Sequence, residues 1–124
     1  MTEWQRMCRS ASGITVEGNA VVVTFPNERR HRVEIKDCGD AFQLVGIVAR
    51  PAAMEGIPDV PLRAWRRNRA SRLVGFRLDQ RGRLVGDAWV PKAGIEREEL
   101  LLYIRQVAAE CDRFEYLLTG KDRE

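Results

Sequence analysis

Near the C-terminus, apolar side chains recur every three or four positions, at Leu100, Ile104, Val107, Ala108, Cys111, Phe114 and Leu118. That spacing lines them along one side of a helix. Glu96, Glu98 and Glu99 load its first turn, where carboxylates complement the positive end of the helix dipole, and Gly120 stands at a natural C-cap. Upstream the period changes to two. Residues 20–25 (Ala-Val-Val-Val-Thr-Phe) predict a strand, because β-branched side chains fit a pleated surface, and Pro26-Asn27 closes it as a turn. In residues 31–37, Val33 and Ile35 alternate with Arg32, Glu34 and Lys36, as in a half-buried antiparallel strand. After a turn at residues 37–40, residues 41–49 are the most apolar run, which places that strand centrally and makes the three a meander.

Pro51, Gly56, Pro58 and Pro61 then enforce a loop, and Pro61 suits the first turn of a short helix over residues 62–72, since it sacrifices no helical hydrogen bond there. Residues 73–78 and 84–90 flank Asp79-Gln80-Arg81-Gly82, where Asp caps the turn and Gly takes positive φ, which predicts a hairpin. Val74, Phe76 and Leu78 are expected on one face of it, and Leu84, Gly86, Ala88 and Val90 likewise share a face. At the other end, residues 2–12 predict a helix with Trp4, Met7, Cys8 and Ala11 on one side, ended by Gly13. The expected fold class is α+β, in the order α-β-β-β-α-β-β-α, with an antiparallel sheet of about five strands. Helices gather mainly on one of its faces.

At 124 residues the chain is expected to be a single domain, 1–124, with residues 1–13 as the N-terminal helix and 119–124 as a short C-terminal tail. Apolar content of 44% with 31% charged residues fits a globular core, and no apolar run approaches the roughly 18 residues that a membrane span needs. The N-terminus lacks the basic-then-apolar order of a secretory signal, so a cytoplasmic location is expected and no membrane partner. The net charge of +3 decides little, but Arg63, Arg66, Arg67, Arg69, Arg72, Arg77, Arg81 and Arg83 crowd a stretch whose only acid is Asp79.

Candidate chemistry is sparse. The single histidine, His31, sits on an alternating strand and reads as a solvent-facing residue, so no catalytic residue is assigned and an enzyme is not expected. One His and three scattered Cys lack the paired spacing of structural zinc sites, and the glycines form no phosphate cradle, so neither metal nor cofactor is expected. Cys111 falls on the apolar helix stripe and reads as core; nothing assigns a role to Cys8 or Cys38. Asp112 and Glu115, three apart with Arg113 between, read as a solvated or interface-facing edge. The middle helix carries more. Leu62, Trp65, Arg66 and Arg69 suit a partner or dimer interface, because Trp and Arg dominate interface hot spots; docking of Leu62 and Trp65 on the sheet is the competing reading. Nucleic-acid binding through the basic stretch 63–83 is the alternative function.

The residues Asn68-Arg69, Leu73, Phe76-Arg77-Leu78-Asp79, Gly82, Leu84, Gly86-Asp87-Ala88, Pro91, Glu99-Leu100 and Asp112-Arg113 resemble the pattern of the YbjN-type bacterial family. The element order is similar to the fold that this family shares with the type III secretion chaperones. The resemblance spans roughly residues 18–120. It implies a homodimer that binds a partner protein segment, chaperone-like or regulatory, and implies no enzyme.

Overall fold

The computed structural model describes residues 1–120 and consists of a six-stranded antiparallel sheet with four helices. Helix α1 is Glu3–Cys8, followed by β1 Ile14–Glu17, β2 Ala20–Thr24, β3 Arg30–Asp37 and β4 Ala41–Ala49. Then come α2 Pro51–Met54, α3 Val60–Ala70, β5 Gly75–Leu78, β6 Leu84–Pro91 and α4 Arg97–Thr119. The strand order is β1-β2-β3-β4-β6-β5. The expected class and meander are present, and β4, the most apolar strand, is central, paired to β3 on one side and β6 on the other. Of the expected tail at 119–124, Thr119 ends α4, Gly120 is its left-handed cap with φ 73°, and residues 121–124 lie outside the described residues.

The sheet has one strand more than expected. Glu17 faces Ala20 across Gly18-Asn19, and Gly18 takes φ 63°, so a two-residue turn folds β1 back onto β2. The N-terminal helix is also shorter than expected. Ser10 and Gly13 both adopt positive φ, which stops the helix at Cys8, while a capping box between Thr2 and Gln5 starts it. Within the proline-rich segment, Pro51 starts the single turn of α2.

The helices cover one face. Along β3 and β4, His31, Val33, Ile35, Phe42, Leu44 and Val48 are buried, and α4 lays Leu100, Ile104, Val107, Ala108 and Cys111 against them. Phe76 and Phe114 meet edge to face at 5.0 Å where β5 reaches α4. The hairpin turn is built as expected: Asp79 Oδ1 accepts from the backbone N–H of Arg81 and Arg83, both at 2.9 Å. Val74 and Phe76 are buried, but Leu78, at the end of β5 beside the turn, is exposed.

Helix α3 closes one edge of the sheet. The Asn68 amide donates to Phe76 O at 2.9 Å, and its oxygen accepts from Phe76 N at 2.6 Å, so the side chain replaces a missing strand partner on β5. Asn68→Ala is expected to lower stability by about 1–3 kcal/mol, because a partly buried N–H and C=O lose both partners. Urea unfolding monitored by circular dichroism reads this out, and Asn68→Asp, which keeps only the acceptor, should fall between.

Candidate functional site

Among the described residues, no helix lies on the face of the sheet opposite α4. That face is built by the alternate residues of the same strands: Arg32, Glu34 and Lys36 from β3, Val45 and Ile47 from β4, and Val85 from β6. Val45 and Ile47 are half-buried and form an apolar floor. Arg32, Lys36, Arg50 and Arg83 surround it with Glu34 as the single acid, lining a cavity of about 290 Å³. A second, wider depression of about 540 Å³ adjoins it and adds Arg77, Asp79 and Arg81 from the hairpin.

The cations of this face are held in place but stay outward. Arg32 lies 3.5 Å from Glu17 and Lys36 3.5 Å from Glu34, both surface pairs that contribute little to stability. Arg83 Nε donates to Asp79 Oδ2 at 2.7 Å, and Arg77 is 3.3 Å from Asp87. Burial alone would push the Asp79 carboxyl up. Hydrogen bonds from the backbone and guanidinium of Arg83 and from Arg81 outweigh it and hold the carboxyl below its ordinary value of 3.8. It therefore stays ionised and fixes the hairpin at the rim. Together the face offers charge to an anionic ligand and an apolar strip to alternate side chains of an extended chain.

The expected interface residues lie elsewhere. Leu62, Trp65, Arg66 and Arg69 recur at i, i+3, i+4 and i+7 and share the outer arc of α3, with Leu62 41% and Trp65 54% exposed. Docking of the helix falls instead to Val60, Ala64 and Asn68, so the reading in which Leu62 and Trp65 anchor it on the sheet does not hold. The Arg69 guanidinium sits 5.2 Å over the Trp65 ring and restrains it. Arg66 lines a groove with Arg63, Arg67, Phe114 and Leu117 between α3 and α4. The basic stretch 63–83 is thus divided in space, its helical arginines beside α4 and Arg77, Arg81 and Arg83 at the open face.

Three polar residues expected at the surface are buried. His31, Asp112 and Glu115 meet between β3 and α4, with His31 and Glu115 almost wholly inaccessible. His31 shares its face with Val33 and Ile35, the parity that points inward, and Asp112 and Glu115 flank the buried arc of Cys111, Phe114 and Leu118. Next to the register slip of β4 against β6, between Ile47 and Ala49, His31 Nε2 donates to Ile47 O at 2.7 Å. The sequence signal was present in these two periodicities. Of the cysteines, Cys8 is core, its thiol pushed up to about 11 by burial; Cys111 is core, likewise raised by burial; Cys38 is exposed in a turn.

Comparison with known proteins agrees with this architecture. The sequence profile of the YbjN family, described as "Putative bacterial sensory transduction regulator", matches residues 11–118. YbjN from E. coli is similar in structure, with 15% identity over 95% of this chain and 87% of that one and a TM-score of 0.62. The ExsC-ExsE complex gives 12% identity over 96% and 98%, with a TM-score of 0.61. The ExoU-SpcU complex from the type III secretion system of Pseudomonas aeruginosa gives 20% identity over 95% and 97%, with a TM-score of 0.59. No curated protein matches the chain in sequence. Among the described residues, no helix is long and apolar enough to cross a membrane.

Proposed function

This chain belongs to the YbjN family, and on that premise we propose that it is a non-enzymatic protein-binding domain, chaperone-like or regulatory, that holds an extended acidic segment of a partner protein on its open sheet face. The observation that carries this reading is the half-buried apolar floor of Val45 and Ile47 lined by Arg32, Lys36, Arg50, Arg83 and Glu34, with Glu17 and Asp79 paired to Arg32 and Arg83 at the rim. An extended segment with alternating acidic and apolar residues would place the apolar set on the floor and the acids against the rim. Supporting it, chains of similar fold occur in a heterodimeric complex of a type III secretion system and in a chaperone-effector complex.

The same reading includes a homodimer formed through the outer arc of α3, where Leu62, Trp65, Arg66 and Arg69 present a restrained aromatic ring between guanidinium groups. Trp65→Ala is the test. Because the ring is more than half exposed, the variant should unfold within about 0.5 kcal/mol of the parent. In sedimentation velocity it should run as a monomer where the parent runs as a dimer. A parent that is itself monomeric would end the dimer part of the proposal and leave the open-face part standing. For the partner, fluorescence anisotropy of a labelled peptide of alternating acidic and apolar residues, against its basic counterpart, reads the preference directly. Equal binding of both peptides would refute the charge argument.

A further inference from the structure

The trio of His31, Asp112 and Glu115 has no part in partner binding, and its geometry suits a different ligand. Nδ1 of His31, Oδ1 of Asp112 and Oε1 of Glu115 face one another within 4.8 Å, on β3 and on two helix positions three apart in α4. Nδ1 lies 3.7 Å from Asp112 Oδ1 and 3.9 Å from Glu115 Oε1. Both separations are longer than a hydrogen bond. Around zinc, with bonds to nitrogen and oxygen of about 2.0–2.2 Å, ligand atoms at tetrahedral angles stand about 3.4 Å apart. These two edges are within about half an ångström of that spacing, while the third, between the two carboxylate oxygens, extends to within 4.8 Å, so the carboxylates would draw together around an ion.

The surrounding contacts orient the donors inward. Ile47 O can only accept, so Nε2 carries the ring proton, and in the neutral imidazole Nδ1 turns its lone pair toward the two carboxylates. Metal-binding histidines are characteristically held in this way, the second nitrogen donating to a carbonyl or carboxylate. Asp112 Oδ2 lies 3.1 Å from Arg29 Nη2, and its Oδ1 is the oxygen that faces His31. We propose that His31, Asp112 and Glu115 form a three-ligand site for a borderline divalent cation, with zinc as its representative, that clamps α4 to the sheet. An imidazole with two carboxylates suits such ions better than magnesium or calcium, which prefer oxygen alone. Entry is from the side of Asp112 and Arg29, the least buried part of the cluster.

The test uses the full chain without an affinity tag, carrying Cys38→Ser so that the exposed thiol does not compete, stripped with chelator and titrated with Zn²⁺ by calorimetry. One equivalent should bind, thermal unfolding should shift upward with zinc, and Asp112→Asn and Glu115→Gln should each weaken affinity at least tenfold. Affinity should also fall from pH 7.5 to pH 5.5, as protons compete for the imidazole. Stripped parent protein that takes up no zinc overturns the proposal whatever the variants do, and makes the trio an imidazolium between two carboxylates. Zinc binding that persists unchanged in both variants overturns it equally, since the ion is then held elsewhere.

Discussion

Gly86→Ala is expected to destabilise the domain by about 1–3 kcal/mol, the range for forcing a methyl group into a packed core. The reason is the closeness of α4 to the sheet. Gly86 of β6 and Gly46 of β4 pair directly and form a notch into which the Cys111 side chain descends. A Cβ on Gly86 would stand 2.7 Å from Cys111 Sγ, 2.8 Å from Phe76 Cε1 and 2.9 Å from Val74 Cγ1. All three belong to buried residues, so none swings aside freely. At Gly46 only Cys111 Sγ falls under 3.0 Å, at 2.9 Å. Combining Gly46→Ala with Cys111→Ala should therefore recover much of the loss, whereas Gly86→Ala should stay impaired in the same background. Denaturant unfolding of the singles and doubles gives the coupling energies, and a Gly86→Ala protein as stable as the parent would mean that helix and sheet are further apart than described.

Reversing two charges at the open face, in Arg32→Glu combined with Lys36→Glu, is expected to weaken the acidic partner segment about 10- to 100-fold, equivalent to about 1.4–2.7 kcal/mol. Both side chains are half exposed and their ion pairs are superficial, so the fold should be unaffected. The effect on binding is larger than the loss of two surface pairs, because the variant sets like charges against the ligand. Ile47→Asp should act in the same direction by spoiling the floor. In contrast, Trp65→Ala, on the far side of the molecule's edge, should leave the affinity of a single segment unchanged. Anisotropy titrations with the labelled acidic peptide check all three variants.

Much of the fold was legible because periodicity and turn chemistry agreed. The α4 stripe, the Gly120 cap and the Asp79 turn are local signals, and each appears where the residues place it. Strand β1 escaped because four residues leave little alternation to read and the Gly18-Asn19 turn sits inside one apparently continuous β-branched run. The placement of His31 failed for another reason. A histidine on a strand beside charged residues suggests exposure, but its parity with Val33 and Ile35 marks the inward face. Asp112 and Glu115 were misplaced in the same way, because carboxylates on a helix are ordinarily solvated and only a partner from another element makes their burial tolerable. Which residues of α3 face solvent was legible as a spacing, but whether that arc met the sheet depended on Asn68 bonding to Phe76, a tertiary fact. That one face would stay open follows from the expected gathering of the helices, but which face it is was beyond sequence reasoning, since it depends on the side of the sheet they choose.

A side-by-side capture from native lysate at physiological salt, with the parent protein and the Arg32→Glu/Lys36→Glu variant as baits, tests the partner-binding reading most directly when bound protein and bound nucleic acid are both quantified. The expected result is a stoichiometric protein on the parent, strongly reduced on the variant, with nucleic acid at background. Nucleic acid retained by the parent and released steeply between about 50 and 200 mM salt, or a protein partner held equally by both baits, would contradict it.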